Sequence, residues 1–274
     1  MMRGRRPEAR WFQWKKALVW AFYLLLYQIL YWVVDQDILL ASPMQILGSL
    51  GRLIREPAFF LAAGATFARI ASGFMIGLLT GTLIAILTFR SRIVEALLMP
   101  LIRAIRATPI TSFIILALVW IHSDRVPVFI VFLMVLPIVW ANINEGIRQV
   151  DPELLEMARS FQMTRPRLLR LVYIPSLAPY FMSAAVTGLG MAWKAGISAE
   201  VLSTPAQSLG GRIYLSKIYL ETPDLFALTI VIILLSLLLE KGFVFLVVRI
   251  SETYHLPVFL PARPAPSAKR SREV

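Results

Sequence analysis

Lys194 and Glu200 interrupt the otherwise uncharged run from Ser176 to Val201. An ionisable residue held in such a run is costly, so it marks a path, a relay or a buried pair. Six positions apart on a helix, the two differ by about 240° around the axis and cannot form an ordinary i, i+4 pair. Either one faces a pore while the other meets a neighbouring helix or a second copy of the chain, or they are structural charges, the lysine snorkelling to a membrane end. A cationic lining suits an anionic or zwitterionic solute. Trp193, next to Lys194, adds a ring that lines the path or packs. Arg69, with Glu56 upstream, closes the list of path candidates and reads more readily as a structural contact than as a substrate group.

The second informative stretch is 151–175, DPELLEMARSFQMTRPRLLRLVYIP. Asp151 suits an N-cap, Pro152 the first helical position and Glu153 the first turn, which predicts a short helix to about Gln162. Thr164 offers a second N-cap and Pro166 lies in the turn that follows, while Pro175 is expected to limit that second helix. Two short helices at an angle result. They are either a basic hairpin on anionic lipid or a docking element for a soluble partner.

Other chemistry is missing. The chain has no cysteine, which excludes disulfides, thiol catalysis and cysteine-ligated metals. His122 and His255 are far apart and carry no carboxylate spacing of a metal site. No G-x-x-x-x-G-K phosphate loop occurs, and no nucleophile and base are positioned for an intramembrane enzyme.

These residues need a membrane to position them. The 274 residues are 58% hydrophobic and only 16% charged, with mean hydropathy +0.71, far from the roughly 25% charged residues of a soluble domain. A formal charge of +12 would suggest nucleic-acid binding in a polar chain. Here the cations fall between apolar runs, and a lipid bilayer, not nucleic acid, is the expected surrounding.

Six runs approach the roughly 20 residues a spanning helix needs. They are Ala17–Val34, read as an uncleaved anchor, Ile70–Phe89, Ala107–Ile121, Val126–Asn144, Ser176–Val201 and Leu225–Val248. The third has only 15 residues and draws on the amphipathic stretch Ile93–Ile105. In the second, Gly73, Gly77 and Gly81 form a small-residue ridge that permits close helix contact. Asn142 and Asn144 are expected to hydrogen-bond between helices. Ser42 and Pro43 open an outer interfacial helix.

With the amino terminus inside, 21 of the 28 Lys and Arg residues fall on the cytoplasmic side and five, Arg52, Arg55, Arg125, Arg212 and Lys217, outside. Both termini are therefore expected in the cytoplasm. The organisation predicted is a basic arm over 1–16, a six-helix membrane domain over 17–250, and a disordered basic tail over 251–274.

In Glu156-Met157-Ala158, Gln162 and Val172-Tyr173-Ile174-Pro175 the chain resembles the EAA signature of ATP-binding cassette (ABC) importer permeases: Glu-Ala-Ala, three residues, Gly, nine residues, Ile-x-Leu-Pro. Met157 replaces an alanine, and Gln162 stands where glycine marks the turn. Arg103-Ala-Ile-Arg-Ala-Thr-Pro109, Met191-Ala-Trp-Lys-Ala-Gly-Ile-Ser-Ala-Glu-Val201, Ser208-Leu-Gly-Gly-Arg-Ile-Tyr214 and Glu221-Thr-Pro-Asp-Leu-Phe226 are similar to segments of the nitrate, sulfonate and taurine permeases. Together these cover about residues 60 to 248.

The resemblance implies an all-α membrane protein of six transmembrane helices with the type I ABC importer permease (MetI-like) fold, N-in/C-in, in a bacterial inner or plasma membrane. It implies a second permease copy, two cytoplasmic ATPase subunits that bind ATP and Mg, and an external solute-binding protein. No cofactor is bound by this chain itself. Glu156, Ala158, Arg159, Ser160, Phe161, Gln162, Met163 and Thr164 would form the coupling helix that docks on the ATPase. The alternative is a stand-alone secondary transporter or channel, against which the runs show no inverted repeat and no matched pair of broken helices.

Overall fold

In the computed structural model, which describes residues 8–254, the chain is a succession of helices. In order they are α1 (Glu8–Val34), α2 (Pro43–Arg55), α3 (Pro57–Arg90), α4 (Arg92–Ala107), α5 (Ile110–Leu118), α6 (Val126–Arg148), α7 (Pro152–Ser160), α8 (Arg165–Leu168), α9 (Ile174–Ser203), α10 (Leu209–Ile218) and α11 (Thr222–Tyr254). The basic arm and tail expected over 1–16 and 251–274 lie largely outside the described residues, although α1 begins at Glu8 and α11 runs to Tyr254.

Small residues set the packing. At Gly73 an added Cβ would lie 2.7 Å from Val131 Cβ, at Gly77 2.8 Å from Val135 Cβ and at Gly81 2.8 Å from Val139 Cβ. The four-residue glycine spacing of α3 thus meets a four-residue valine spacing on α6, ridge against groove. On its other side α6 meets α9, where a Cβ at Gly146 would strike the Tyr180 ring at 2.7 Å. The main core lies among these three helices and includes Ile70, Phe74, Val135, Trp140, Ala184 and Trp193. Within it Trp140 Nε1 on α6 donates to Thr88 Oγ1 on α3 at 3.1 Å.

Among the described residues, α3, α6, the stretch Arg165–Ser203 and Thr222–Arg249 of α11 are long and apolar enough to cross a membrane. A fifth crossing arises if α4 and α5, bent by 103°, count as one broken span. That bend is where the short third run was expected. The described apolar part of α1, Ala21–Val34, is shorter than the other spans. Only 6% of the most apolar stretch of α11 is buried within the protomer, and residues such as Leu234 and Leu238 stand exposed on it. An apolar surface of this kind is what lipid requires, since tails are as apolar as leucine.

Two expectations are corrected. Pro175 does not stop the helix begun at Thr164: α8 passes through a π turn, Leu169–Tyr173, directly into α9. The Ile174 N–H reaches back five residues to the Leu169 carbonyl, and the widened turn places Pro175, which has no N–H, in the first turn of α9, where none is needed. Asn142 makes no interhelical bond among the described residues. Its Nδ2 donates to the Ile138 carbonyl of its own helix at 2.9 Å, the nearest acceptor one turn away.

Candidate functional site

α9 carries two faces. Ala184, Ala185, Gly188, Ala192, Ala195, Gly196 and Ala199 are buried, and their small size brings the helix against its neighbours; a Cβ at Gly196 would sit 2.5 Å from Ile70 Cγ1. Thr187, Met191, Lys194, Ser198 and Leu202 are exposed, spaced by three or four and so aligned on one stripe. Lys194 makes no hydrogen bond or ion pair among the described residues, whereas Trp193 turns into the core and leaves its indole N–H without a partner there.

Glu200 is 0% exposed and ends α9 in a polar network. Its carboxylate accepts from Thr66 Oγ1 at 2.8 Å, from Arg69 Nη1 at 3.1 Å and from the Gly210 N–H at 3.2 Å. Arg69 in turn donates to the carbonyls of Ala206 (2.7 Å) and Gln207 (3.3 Å), and its guanidinium lies 3.6 Å from Asp124. Asp124 accepts from the Ala206 N–H at 3.2 Å, and Thr66 Oγ1 accepts from the Leu209 N–H at 3.0 Å. One buried ion pair therefore ties α3, α9, the 204–208 loop and the start of α10 together. The loop needs such ties, because Thr204 and Gln207 hold positive φ of 44° and 50°.

Lys194 and Glu200 are thus separated, one exposed and one sealed in, and the partner of Glu200 is Arg69. Glu56, the nearest acid upstream of Arg69, belongs instead to Arg212 through two bonds of 3.0 and 2.8 Å. Those bonds hold the Glu56 carboxyl below its ordinary range. The cost of an isolated charge in an apolar run was the signal that could have found the Arg69–Glu200 pair. Lys194 was an equal claimant by that rule.

At the opposite end, the Asp151 carboxylate caps α7 by accepting from the Glu153 N–H at 2.8 Å. Glu156, Arg159, Ser160, Gln162 and Thr164 are exposed, Met163 is half-buried and Ala158 is buried. Phe161, at 73% exposure, stands out of the helix end. The helix closes at Ser160, two residues before the expected end, in a Schellman turn: Met163 N–H donates to the Ala158 carbonyl at 3.0 Å and Gln162 N–H to that of Arg159 at 2.9 Å. Gln162 occupies the left-handed position at φ 48°, the place glycine takes without strain. Thr164 sits at the N-cap of α8 but makes no side-chain capping bond.

No group of three or more metal-ligating side chains occurs among the described residues. The arrangement offers a polar stripe through apolar surroundings, a latched loop at one end and an exposed short helix at the other.

The model of the family "Binding-protein-dependent transport system inner membrane component" matches residues 73–251. The bicarbonate transport system permease protein CmpB of Synechococcus elongatus is 26% identical over 187 residues, 68% of this chain and 67% of that protein. The putative aliphatic sulfonates transport permease protein SsuC of Bacillus subtilis is 26% identical over 226 residues, 81% of this chain and 82% of that protein. Among solved structures, an amino acid ABC transporter with histidines superposes at TM-score 0.61 and 22% identity, covering 74% of this chain and 97% of that one. The inward-facing MetNI methionine ABC transporter gives 0.52 at 17% identity, covering 69% and 92%. Both structures share the fold.

Proposed function

Because this chain belongs to the family of binding-protein-dependent transport system inner membrane components, we propose that it forms half of the membrane path of an ATP-driven importer for a small anion or zwitterion. The other half is a second copy of the same chain. Two cytoplasmic ATPase subunits bind ATP and Mg, and an external binding protein delivers the solute. In this reading the protein sits in a bacterial inner membrane with six spans, α1 the first and the α4–α5 pair the third, and with both termini in the cytoplasm. The excess of cations on that side supports the orientation.

The observation that carries the reading is Lys194. Measured from the Gly146–Tyr180 contact, a rise of 1.5 Å per residue puts Lys194 about 21 Å along α9, inside the span and too deep to reach headgroups easily. Its ammonium is exposed and unpaired among the described residues, and neither lipid nor core accepts it so. A water-filled path shared with a second copy does, with Thr187 and Ser198 extending the stripe. Relatives that carry the names of bicarbonate, aliphatic sulfonate and nitrate permeases support an anionic cargo.

The energy source lies in another chain, since this one has no phosphate loop. In this reading α7 contacts the ATPases, with Phe161, exposed at the end of the helix, as an apolar anchor and Glu156 as a charge. Closure of the ATPase pair on ATP would move α7 and, through the continuous α8–α9 helix, the stripe itself, opening the path alternately to each side.

Mild-detergent purification from native membranes should recover a P-loop ATPase at equal stoichiometry. Glu156→Lys should weaken that recovery while leaving the protein in the membrane, and Lys194→Met should impair ATP-dependent uptake at normal expression. Recovery of the chain alone, even after crosslinking through 151–165, would favour the self-sufficient carrier or channel instead.

A further inference from the structure

α4 and α5 meet at 103°, with Thr108 and Pro109 between them. The elbow opens a cleft of about 400 Å³ against α6 and α9. Arg106, Thr108 and Asn142 form its polar wall, and Met134, Pro137 and Met191 stand among the apolar residues that complete it.

Depth can be set from the Gly146–Tyr180 contact. At 1.5 Å per residue, Asn142 lies about 6 Å, Met191 about 16 Å and Met134 about 18 Å beyond it, while the far ends of α6 and α9 lie about 30 and 34 Å beyond. The cleft therefore sits within the membrane, in the half nearer α7, one turn of α9 below Lys194. Arg106 lies on the exposed wall of the cleft, at its cytoplasmic end, with its guanidinium open to a partner. Arg106 makes no ion pair or hydrogen bond among the described residues.

The neighbouring donors are mostly spent: Thr108 Oγ1 donates to the Ala104 carbonyl and Asn142 Nδ2 to that of Ile138. Asn142 keeps one amide hydrogen. The cleft thus presents a five-donor planar fork at one wall and thioether and aliphatic surface at the others. A fork of this kind matches the oxygens of a carboxylate or sulfonate two at a time.

We infer that the α4–α5 elbow binds an organic oxyanion, a sulfonate or carboxylate bearing a short apolar tail, with Arg106 on the charged head and Met134, Pro137 and Met191 on the tail. A cavity of this size is in the range of small-ligand sites. A bare inorganic oxyanion such as nitrate would satisfy the guanidinium but leave the apolar walls facing water. The inference rests on the importer reading, since it makes the elbow a waypoint for cargo.

The test titrates the purified full-length chain, in nanodiscs of zwitterionic lipid, with 1-butanesulfonate, butyrate and nitrate by calorimetry. Butanesulfonate and butyrate should bind saturably and nitrate at least about tenfold more weakly, the counterpart of a few buried methylenes. Arg106→Gln should weaken butanesulfonate about ten- to a hundredfold, the range for a charged hydrogen bond. Arg103→Gln, outside the cleft, should leave it unchanged. Met191→Trp, which fills the cleft from the opposite wall, gives a second route to loss should Arg106→Gln fail to fold.

Equal affinity for nitrate overturns the tail, and no loss in either cleft variant overturns the site. An anionic phospholipid retained by the wild type in native mass spectrometry, lost in Arg106→Gln, with no sulfonate binding, makes the cleft a headgroup site and also overturns it. ATPase co-purification is read on the same samples: failure there counts against the importer, while failure of titration alone counts against the elbow.

Discussion

Arg69→Met should be among the most destabilising single substitutions in the membrane domain. It removes the cation paired with a carboxylate of 0% exposure and leaves Glu200 with the Thr66 hydroxyl and the Gly210 N–H. Breaking a buried pair from one side costs about 3–5 kcal/mol, because the stranded charge keeps its desolvation cost. The carbonyls of Ala206 and Gln207 lose their donor as well. Glu200→Gln is the milder change, about 1–2 kcal/mol. Arg69 would keep both carbonyls and Asp124, which is partly open to water.

The double variant should then cost less than the sum by about 2–3 kcal/mol, the coupling expected of contacting groups in one network. The assay is equilibrium unfolding by sodium dodecyl sulfate in mixed micelles, run as a full double-mutant cycle. An Arg69→Met cost below about 1 kcal/mol, or strict additivity, would refute the view that this pair holds the 204–208 loop to α3.

Gly77→Leu should prevent α3 from seating on α6, since even a Cβ there meets Val135 at 2.8 Å; size-exclusion of detergent extracts should show loss of the monodisperse species. Gly48→Ala is its control: nothing lies within 4 Å of an added Cβ, and the helix should gain up to about 1 kcal/mol from propensity. Gln162→Gly should relieve a left-handed residue and steady the Schellman turn by roughly 1 kcal/mol, read as slower amide exchange over 157–163. Glu56 titrates below its ordinary range in the folded protein because of Arg212, so its contribution is fully present above the unfolded value of about 4.3 and is lost as pH falls through the lower folded value. The melting-temperature gap between wild type and Glu56→Gln should therefore be flat above pH 5 and close on acidification; a gap that widens on acidification would contradict the sign. The effect is small, as the pair is partly exposed.

What could be read from the sequence was what is decided locally. Ser42 and Gln45 form a reciprocal cap at the start of α2, Asp151 caps α7, and the glycine ridge of α3 finds its groove, because each depends on residues within a turn or two. Pro175 misled for a physical reason: a proline that opens a helix and one that closes it look alike until the π turn before it is known. The shortness of the third run was visible, but its 103° bend is set by packing against α6 and α9. The Arg69–Glu200 bond joins positions 131 apart, and nothing local chose Arg69 over Lys194. The interhelical role expected of Asn142 is pre-empted by its own i−4 carbonyl.

The valine-in-glycine seam also limits how the protein can move. With side-chain and carbonyl atoms at three successive levels already closer than any Cβ would tolerate, α3 cannot slide along α6 by a residue without collision. The Gly146–Tyr180 and Gly196–Ile70 contacts lock α9 to the same block. These three helices therefore turn as one stiff lever. Whatever shape change accompanies transport has to fall on the joints around that lever: the α4–α5 elbow, the attachments of α1 and α11, and the surface where a second copy would meet it.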